Sequence, residues 1–134
     1  MNHLVFDAEP LIAYYWDEPG SDAVKTIIYR VENGEVTATV NTITCAEVQY
    51  VCGRDDPETA QAYVTRIRDW CDVTKAESVW ELAADYKRDY NVALGDAFTL
   101  ATAATEDATA YTGADDDFDD VNVSVKRFRE EGVN

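Results

Sequence analysis

Cations are scarce in this chain. Only 11 of its 134 residues are lysine or arginine, seven of them arginine, against 27 aspartates and glutamates, for a net charge of −16. Nucleic-acid binders ordinarily carry a basic footprint, so this balance counts against ordinary electrostatic binding of DNA or RNA. It does not exclude a nucleic-acid enzyme. In molar salt the attraction gained by counterion release is weak whatever the protein's charge, and such an enzyme can rely on metal and shape. Self-repulsion on this scale is tolerable where the Debye length falls to ~3 Å, as at 1 M salt. The acid is spread along the chain rather than gathered in a tail. A halophilic source is the expectation, and with it most acidic side chains are solvated surface. A site therefore has to be argued from position and not from count.

Other absences narrow the class further. There is one histidine, His3, and three cysteines, Cys45, Cys52 and Cys71, with no C-x-x-C pair. A zinc site is not expected from that set. Cys45 and Cys52 lie seven apart on one face of a predicted helix, which fits buried thiols in a reducing compartment. No apolar run approaches the ~20 residues that span a bilayer. The start, MNHLVFDAEP, lacks the basic and apolar regions of a signal peptide. No membrane association and a cytoplasmic location are the expectations. No internal repeat and no Pro/Gly/Ser linker interrupt the chain. With 46% hydrophobic residues it reads as one globular domain over residues 1–134.

Strand and helix patterns alternate along it. HLVF (3–6) reads as a buried strand, followed by a helix over 9–16 with Pro10 in its first turn. Residues 20–34 carry Val24, Ile27, Ile28 and Val31 at helical spacing, with Ser21 or Asp22 as N-cap and Gly34 as terminator. VTATV (36–40) is β-branched and reads as a strand. Helices are predicted over 42–53, over 57–70 behind Pro57, over 77–90 and over 94–107. The 77–90 helix would present Val79, Leu82, Ala83, Tyr86 and Tyr90 on one face. CDVT (71–74), TAYT (109–112) and VNVSV (121–125) read as strands, and KRFREEG closes the chain. This alternation predicts an α/β fold, three layers α/β/α with a mostly parallel central sheet.

In open α/β sheets, sites form where strands end. Asp7 follows the first strand, Glu47 lies in the first turns of the helix after the second, Asp96 lies near the start of a helix, and Asp115 follows TAYT. All four could face one crevice, where converging carboxylates suit a hard divalent cation. Each also has a plainer reading: Asp7 and Asp96 as helix caps, Glu47 as surface, Asp115 and Asp117 as members of a crowded salt-adaptive loop. TGADDDFDD (112–120) carries five aspartates. An EF-hand reading fails there, because counting from Asp115 the sixth position is Asp120 rather than glycine and the twelfth is Lys126 rather than glutamate.

The order strand–Asp7, Thr44-x-x-Glu47, LGDAFTLATA (94–103), GADDDFDDV (113–121) resembles PIN-domain ribonucleases, especially the VapC toxins of toxin–antitoxin pairs. The similarity runs nearly end to end. It implies that Asp7, Glu47, Asp96 and Asp115 form an acidic cluster, with Asp117 as an additional acid. Together they would hold one or two Mg2+ or Mn2+ ions that activate water against an RNA phosphodiester. Thr112 would help order the site. It also implies a cognate antitoxin and a homodimer, for which Tyr14, Tyr15 and Trp16 offer apolar surface. Within the five-aspartate run, Asp116, Asp119 and Asp120 are expected to face solvent, and Phe118 to pin the segment to the core. The pattern departs from the family after Asp7, where a small hydroxyl pair is usual and Ala8-Glu9 stands instead. The small basic clusters, Arg66/Arg68 and KRFR (126–129), read as RNA contacts or as solvated charge. Three readings follow: a metal-dependent ribonuclease toxin, an RNA-processing PIN nuclease, or a catalytically silent PIN-like module that binds a protein.

Overall fold

The computed structural model describes residues 2–113 and 118–129. Five strands form one sheet: β1 (His3–Phe6), β2 (Thr37–Asn41), β3 (Asp72–Thr74), β4 (Thr109–Thr112) and β5 (Val125–Arg127). Their order is β3-β2-β1-β4-β5, and every pairing is parallel. From β1 the chain steps outward through β2 and β3, then crosses back to build β4 and β5 on the other side. The reversal falls between β1 and β4, which makes their carboxyl ends the switch point where open α/β sheets form crevices.

Six α-helices cover the two faces: α1 (Ala8–Tyr15), α2 (Ser21–Glu32), α3 (Thr42–Cys52), α4 (Pro57–Trp70), α5 (Trp80–Tyr90) and α6 (Leu94–Glu106). Strand alternation assigns the faces. Leu4 and Phe6 of β1, Ala38 and Val40 of β2 and Tyr111 of β4 pack with apolar residues of α1, α2, α3 and α4. Val5 and Ala110 point the other way, into a second cluster with Ala83 and Tyr86 of α5 and Ala97, Leu100 and Ala101 of α6. Alanine and threonine along α6 let this helix lie close against the sheet; Ala97 through Ala103 are all buried. Helix ends are set locally. Asp56 caps α4 through the amides of Glu58 and Thr59, with Pro57 at the first turn. Asn91 and Asp107 adopt left-handed conformations that stop α5 and α6.

Several boundaries differ from the sequence reading. The first helix begins at Ala8, because Asp7 caps it. Gly20 takes the cap position of α2 with φ of 91°, and Ser21 is the first helical residue, its hydroxyl donating to Asp17. The 77–90 helix is broken: a 3-10 turn at Ala76–Ser78 precedes α5. The last strand lies at 125–127 rather than 121–125. Phe128 is the reason: it is 2% exposed and packs against Tyr111, while its amide donates to the Thr112 carbonyl and draws the downstream segment onto β4. Tyr14 and Tyr15 are partly buried against Tyr63, so of the proposed aromatic surface only Trp16 is substantially open. Phe118 is buried as expected. Cys52 and Cys71 are buried and Cys45 half-buried; all three are free thiols, pushed up in pKa by burial, Cys52 to about 11 and Cys71 to about 12. Among the described residues no helix is long and apolar enough to cross a membrane.

Candidate active site

A cleft of about 300 Å³ opens at the switch point, lined by Asp7, Glu9, Ile12, Glu47, Ala93, Gly95, Asp96 and Thr112. Three of the sequence-selected acids, Asp7, Glu47 and Asp96, meet there from three separate segments. Asp115 and Asp117 lie outside the described residues, as does Asp116.

Asp7 is held most firmly. It is 4% exposed and stands one residue beyond β1, its amide donating to the Tyr111 carbonyl across the β1–β4 pair. Its Oδ1 accepts from the Ala8 amide at 2.9 Å and from the Thr99 hydroxyl at 3.2 Å, and its Oδ2 from the Thr112 hydroxyl at 2.7 Å. The capping role and the site position are thus compatible, since Oδ2, with one donor, keeps a lone pair for the cleft while Oδ1 is filled by its two. Thr112 orders the site as expected. Thr99 was not singled out from sequence; its signal was available only as one of three threonines along α6, the one a turn after Gly95.

Glu47 reaches the cleft from α3, whose start is fixed by Asn41. That side chain is fully buried, accepts from the Ile43 amide at 2.8 Å, and donates to Thr102 of α6 at 3.1 Å. The sequence pattern places the helix start at residue 42 but gives no sign of this cap. Although much of Glu47 is exposed, burial of its carboxyl end and then the charge of Asp7 raise its pKa above the ordinary carboxylate value. The carboxyl lies against Gly95: a Cβ built on that glycine would sit 2.7 Å from Glu47 Oε1. Glu47 and Asp96 therefore both stand at the first turn of α6, where the N-cap, Ala93, supplies no side-chain oxygen. The positive end of the helix dipole favours negative charge there.

Glu9 is the fourth cleft acid among the described residues. Its carboxylate lies directly over Gly113, where a Cβ would overlap it, and it accepts from Arg129 at 2.8 Å. Arg129 also donates to the Pro19 carbonyl at 2.8 Å, approaches Glu18 at 3.6 Å and covers the Phe128 ring. Arg127 pairs with Asp119 at 2.6 Å, and Asp119 stays exposed as expected. The arginines of the KRFR run are thus engaged by the chain's own acids. Among the described residues no group of three or more carboxylates, histidines or cysteines stands close enough to cage a metal ion. The donor set still suits Mg2+ or Mn2+: oxygen ligands only, with a repulsion between Glu47 and Asp7 that a cation would relieve. Mg2+ needs one or two carboxylates and keeps several waters.

No curated protein matches the sequence. Among solved structures, a toxin–antitoxin complex from Klebsiella pneumoniae superposes with a TM-score of 0.72 at 21% identity, covering 95% of this chain and 98% of the other. VapBC2 from Rickettsia felis, bound to a DNA fragment from its promoter, gives 0.72 at 13% identity over 93% and 98% of the two chains. DNA-bound VapBC from Salmonella typhimurium gives 0.68 at 14% identity over 96% and 99%. At such identities the likeness is one of fold. The family profile for the PIN domain, however, matches residues 4–123, from β1 through the acidic segment, and the chain belongs to the PIN-domain family.

Proposed function

We propose that this PIN domain is a VapC-like toxin, a metal-dependent endoribonuclease that cuts RNA phosphodiesters at the switch-point cleft. The observation that carries the reading is the meeting of Asp7, Glu47 and Asp96, from three chain segments, in one small cleft. Such an arrangement is unfavourable unless a cation occupies it. The complexes it resembles are toxin–antitoxin pairs, which supports a protein antitoxin as partner; a homodimer is the assembly proposed with it. The single-domain organisation, the cytoplasmic location and the halophilic source belong to the same reading.

Asp7, Glu47 and Asp96, with Asp115 and Asp117, would hold Mg2+ or Mn2+. When bound, the ion supplies a water of lowered pKa and stabilises the leaving oxygen. The remaining chemistry falls to side chains. Thr99, Thr112 and the Ala8 amide fix the Asp7 carboxylate, so it stays aimed without reorganisation. Glu47, whose pKa burial and then the charge of Asp7 raise, gains from an incoming cation that favours its ionised form. The amino end of α6 offsets part of the negative charge that accumulates in the cleft.

The test is cleavage of a mixed RNA pool in molar KCl with added Mn2+, beside EDTA and Asp96→Asn controls. Cleavage abolished by both controls supports the proposal. Mn2+ binding without RNA cleavage keeps the metal site and rejects the substrate. Neither binding nor cleavage by the folded protein rejects the enzyme and favours a silent, protein-binding module.

A further inference from the structure

A ribonuclease with a net charge of −16 has to hold its substrate by something other than a basic surface. Most of its arginines are already committed: Arg30 to Glu35, Arg88 to Asp85 and Asp89, Arg127 to Asp119 and Arg129 to Glu9. The structure offers a different device beside the cleft. On α3, three residues after Glu47, stands Tyr50, whose surface is 67% exposed. Arg54, in the turn that follows the helix, places its guanidinium 4.8 Å from the centre of the Tyr50 ring. Among the described residues Arg54 is in no ion pair. Tyr50 borders a concavity of about 580 Å³ whose other walls are Ala46, Gln49, Gly53 and Pro57. Among the described residues no charged side chain lines it, on a surface otherwise dense with acid. Gln49 adds an amide that can both donate and accept.

We propose that Tyr50, Gln49 and Arg54 form a stacking subsite for a nucleobase of single-stranded RNA next to the scissile phosphodiester. The proposal rests on the ribonuclease reading and deepens it. Spacing supports the continuity: at 1.5 Å rise per residue, Glu47 and Tyr50 lie roughly 4.5 Å apart along α3 and on neighbouring stripes of the helix. A strand whose phosphate enters the carboxylate cleft therefore passes Tyr50 with an adjacent base. The Arg54 guanidinium covers one face of the tyrosine ring, the other face is left to a base, and the concavity beside it has room for one. Stacking depends little on screened charge, so it survives salt that abolishes phosphate–lysine attraction. Sequence preference would come from Gln49 against the base edge, as in recognition of unpaired RNA generally.

The test uses the full chain with Asp96→Asn to prevent cutting, and a short fluorescein-labelled single-stranded RNA in EDTA across a KCl series. Tyr50→Ala in that background is expected to weaken binding by ~10-fold or more, at high salt as at low. Tyr50→Trp should restore it, and Arg54→Ala should cost about 2–5-fold. Tyr50 is exposed, and a native circular dichroism spectrum will establish that each variant folds. If Tyr50→Ala binds RNA like its parent, the subsite is overturned and the ribonuclease reading stands. If Tyr50→Ala converts a dimer to a monomer by light scattering, the face joins two copies and the subsite is likewise overturned. If the parent neither binds RNA nor, with Asp96 restored, cuts it, the ribonuclease reading falls and takes the subsite with it.

Discussion

Thr112→Val isolates the contact that holds Asp7. The substitution keeps the β-branched shape and removes only the hydroxyl that donates to Asp7 Oδ2 at 2.7 Å. Both residues are nearly sealed from solvent, Thr112 at 1% and Asp7 at 4% exposed, so water cannot readily replace the lost donor. A hydrogen bond to a charged group contributes about 1.5–3 kcal/mol, and the full desolvation penalty returns when a buried acceptor loses its partner. Unfolding by urea in molar KCl should therefore show a loss of about 1.5–3 kcal/mol, a fall in Tm of roughly 5–10 °C for a chain of this size. Thr99→Val serves as the internal standard. Its bond to Asp7 is longer, 3.2 Å, and its hydroxyl is shared with the Gly95 carbonyl at 3.4 Å, so its loss should cost less, about 0.5–1.5 kcal/mol. A second readout follows Mn2+ by paramagnetic resonance. Disturbing a group that orients a ligand typically costs about 10–100-fold in metal affinity, and Thr112→Val should fall in that range. If Thr112→Val proves no more destabilising than Thr99→Val and leaves Mn2+ affinity intact, Asp7 is not held in the way the geometry describes.

Three further outcomes are expected. Glu47→Gln should stabilise the metal-free protein at neutral pH, because burial and Asp7 raise the Glu47 pKa and its ionised form opposes folding. That benefit must shrink as pH falls below the raised value toward the ordinary 4.5, since wild-type Glu47 then protonates too; pH-dependent urea melts of the two proteins should converge in acid. Gly95→Ala should separate stability from function. Alanine improves a helical position by up to about 1 kcal/mol, but its Cβ would lie 2.7 Å from Glu47 Oε1 and push that carboxyl aside, so Mn2+ affinity should drop while Tm holds or rises. Glu106→Gln acts on the α6 carboxylate that reaches across β1, β2 and β3. Burial raises the pKa of this carboxylate, but hydrogen bonds from Thr39, His3 and Thr74 outweigh it and leave the value lowered. Its stabilisation is present above the ordinary value near 4.5 and is lost as pH falls through the depressed one. The substitution should lower stability at neutral pH and flatten the acid limb of a stability–pH profile.

What the sequence made legible was local. Apolar strand followed at once by an acid gave β1 and Asp7; the small-residue run of LGDAFTLATA gave α6 and placed Asp96 in its first turn; Pro57 marked the start of α4. Features that depended on distant partners were not visible. Asn41 looks like an unremarkable strand end until Thr102 comes beside it. Nothing in VNVSV shows that Phe128 will draw the fifth strand downstream to 125–127. Val79 continues an apolar stripe, but the chain has to turn at Ala76–Ser78 before α5 can follow it. The basic look of KRFR disappears once its arginines are seen against Asp119 and Glu9, the latter 120 residues away in the chain.

The same distinction resolves the departure at Ala8-Glu9. Family members usually carry small hydroxyls after the first aspartate, and their loss here would leave Asp7 short of donors if position alone mattered. It does not, because the donors come from elsewhere: the Ala8 amide needs no side chain, and Thr99 and Thr112 bring hydroxyls from α6 and β4. Glu9 in turn is accommodated by two residues far away in sequence. Gly113 has no side chain to collide with its carboxylate, and Arg129, 120 residues downstream, neutralises it. Glu9, Gly113 and Arg129 thus form one interdependent set at the mouth of the cleft. Glu9's charge is met by Arg129 and its bulk by Gly113, so the extra acid is accommodated while Asp7 keeps its own three donors.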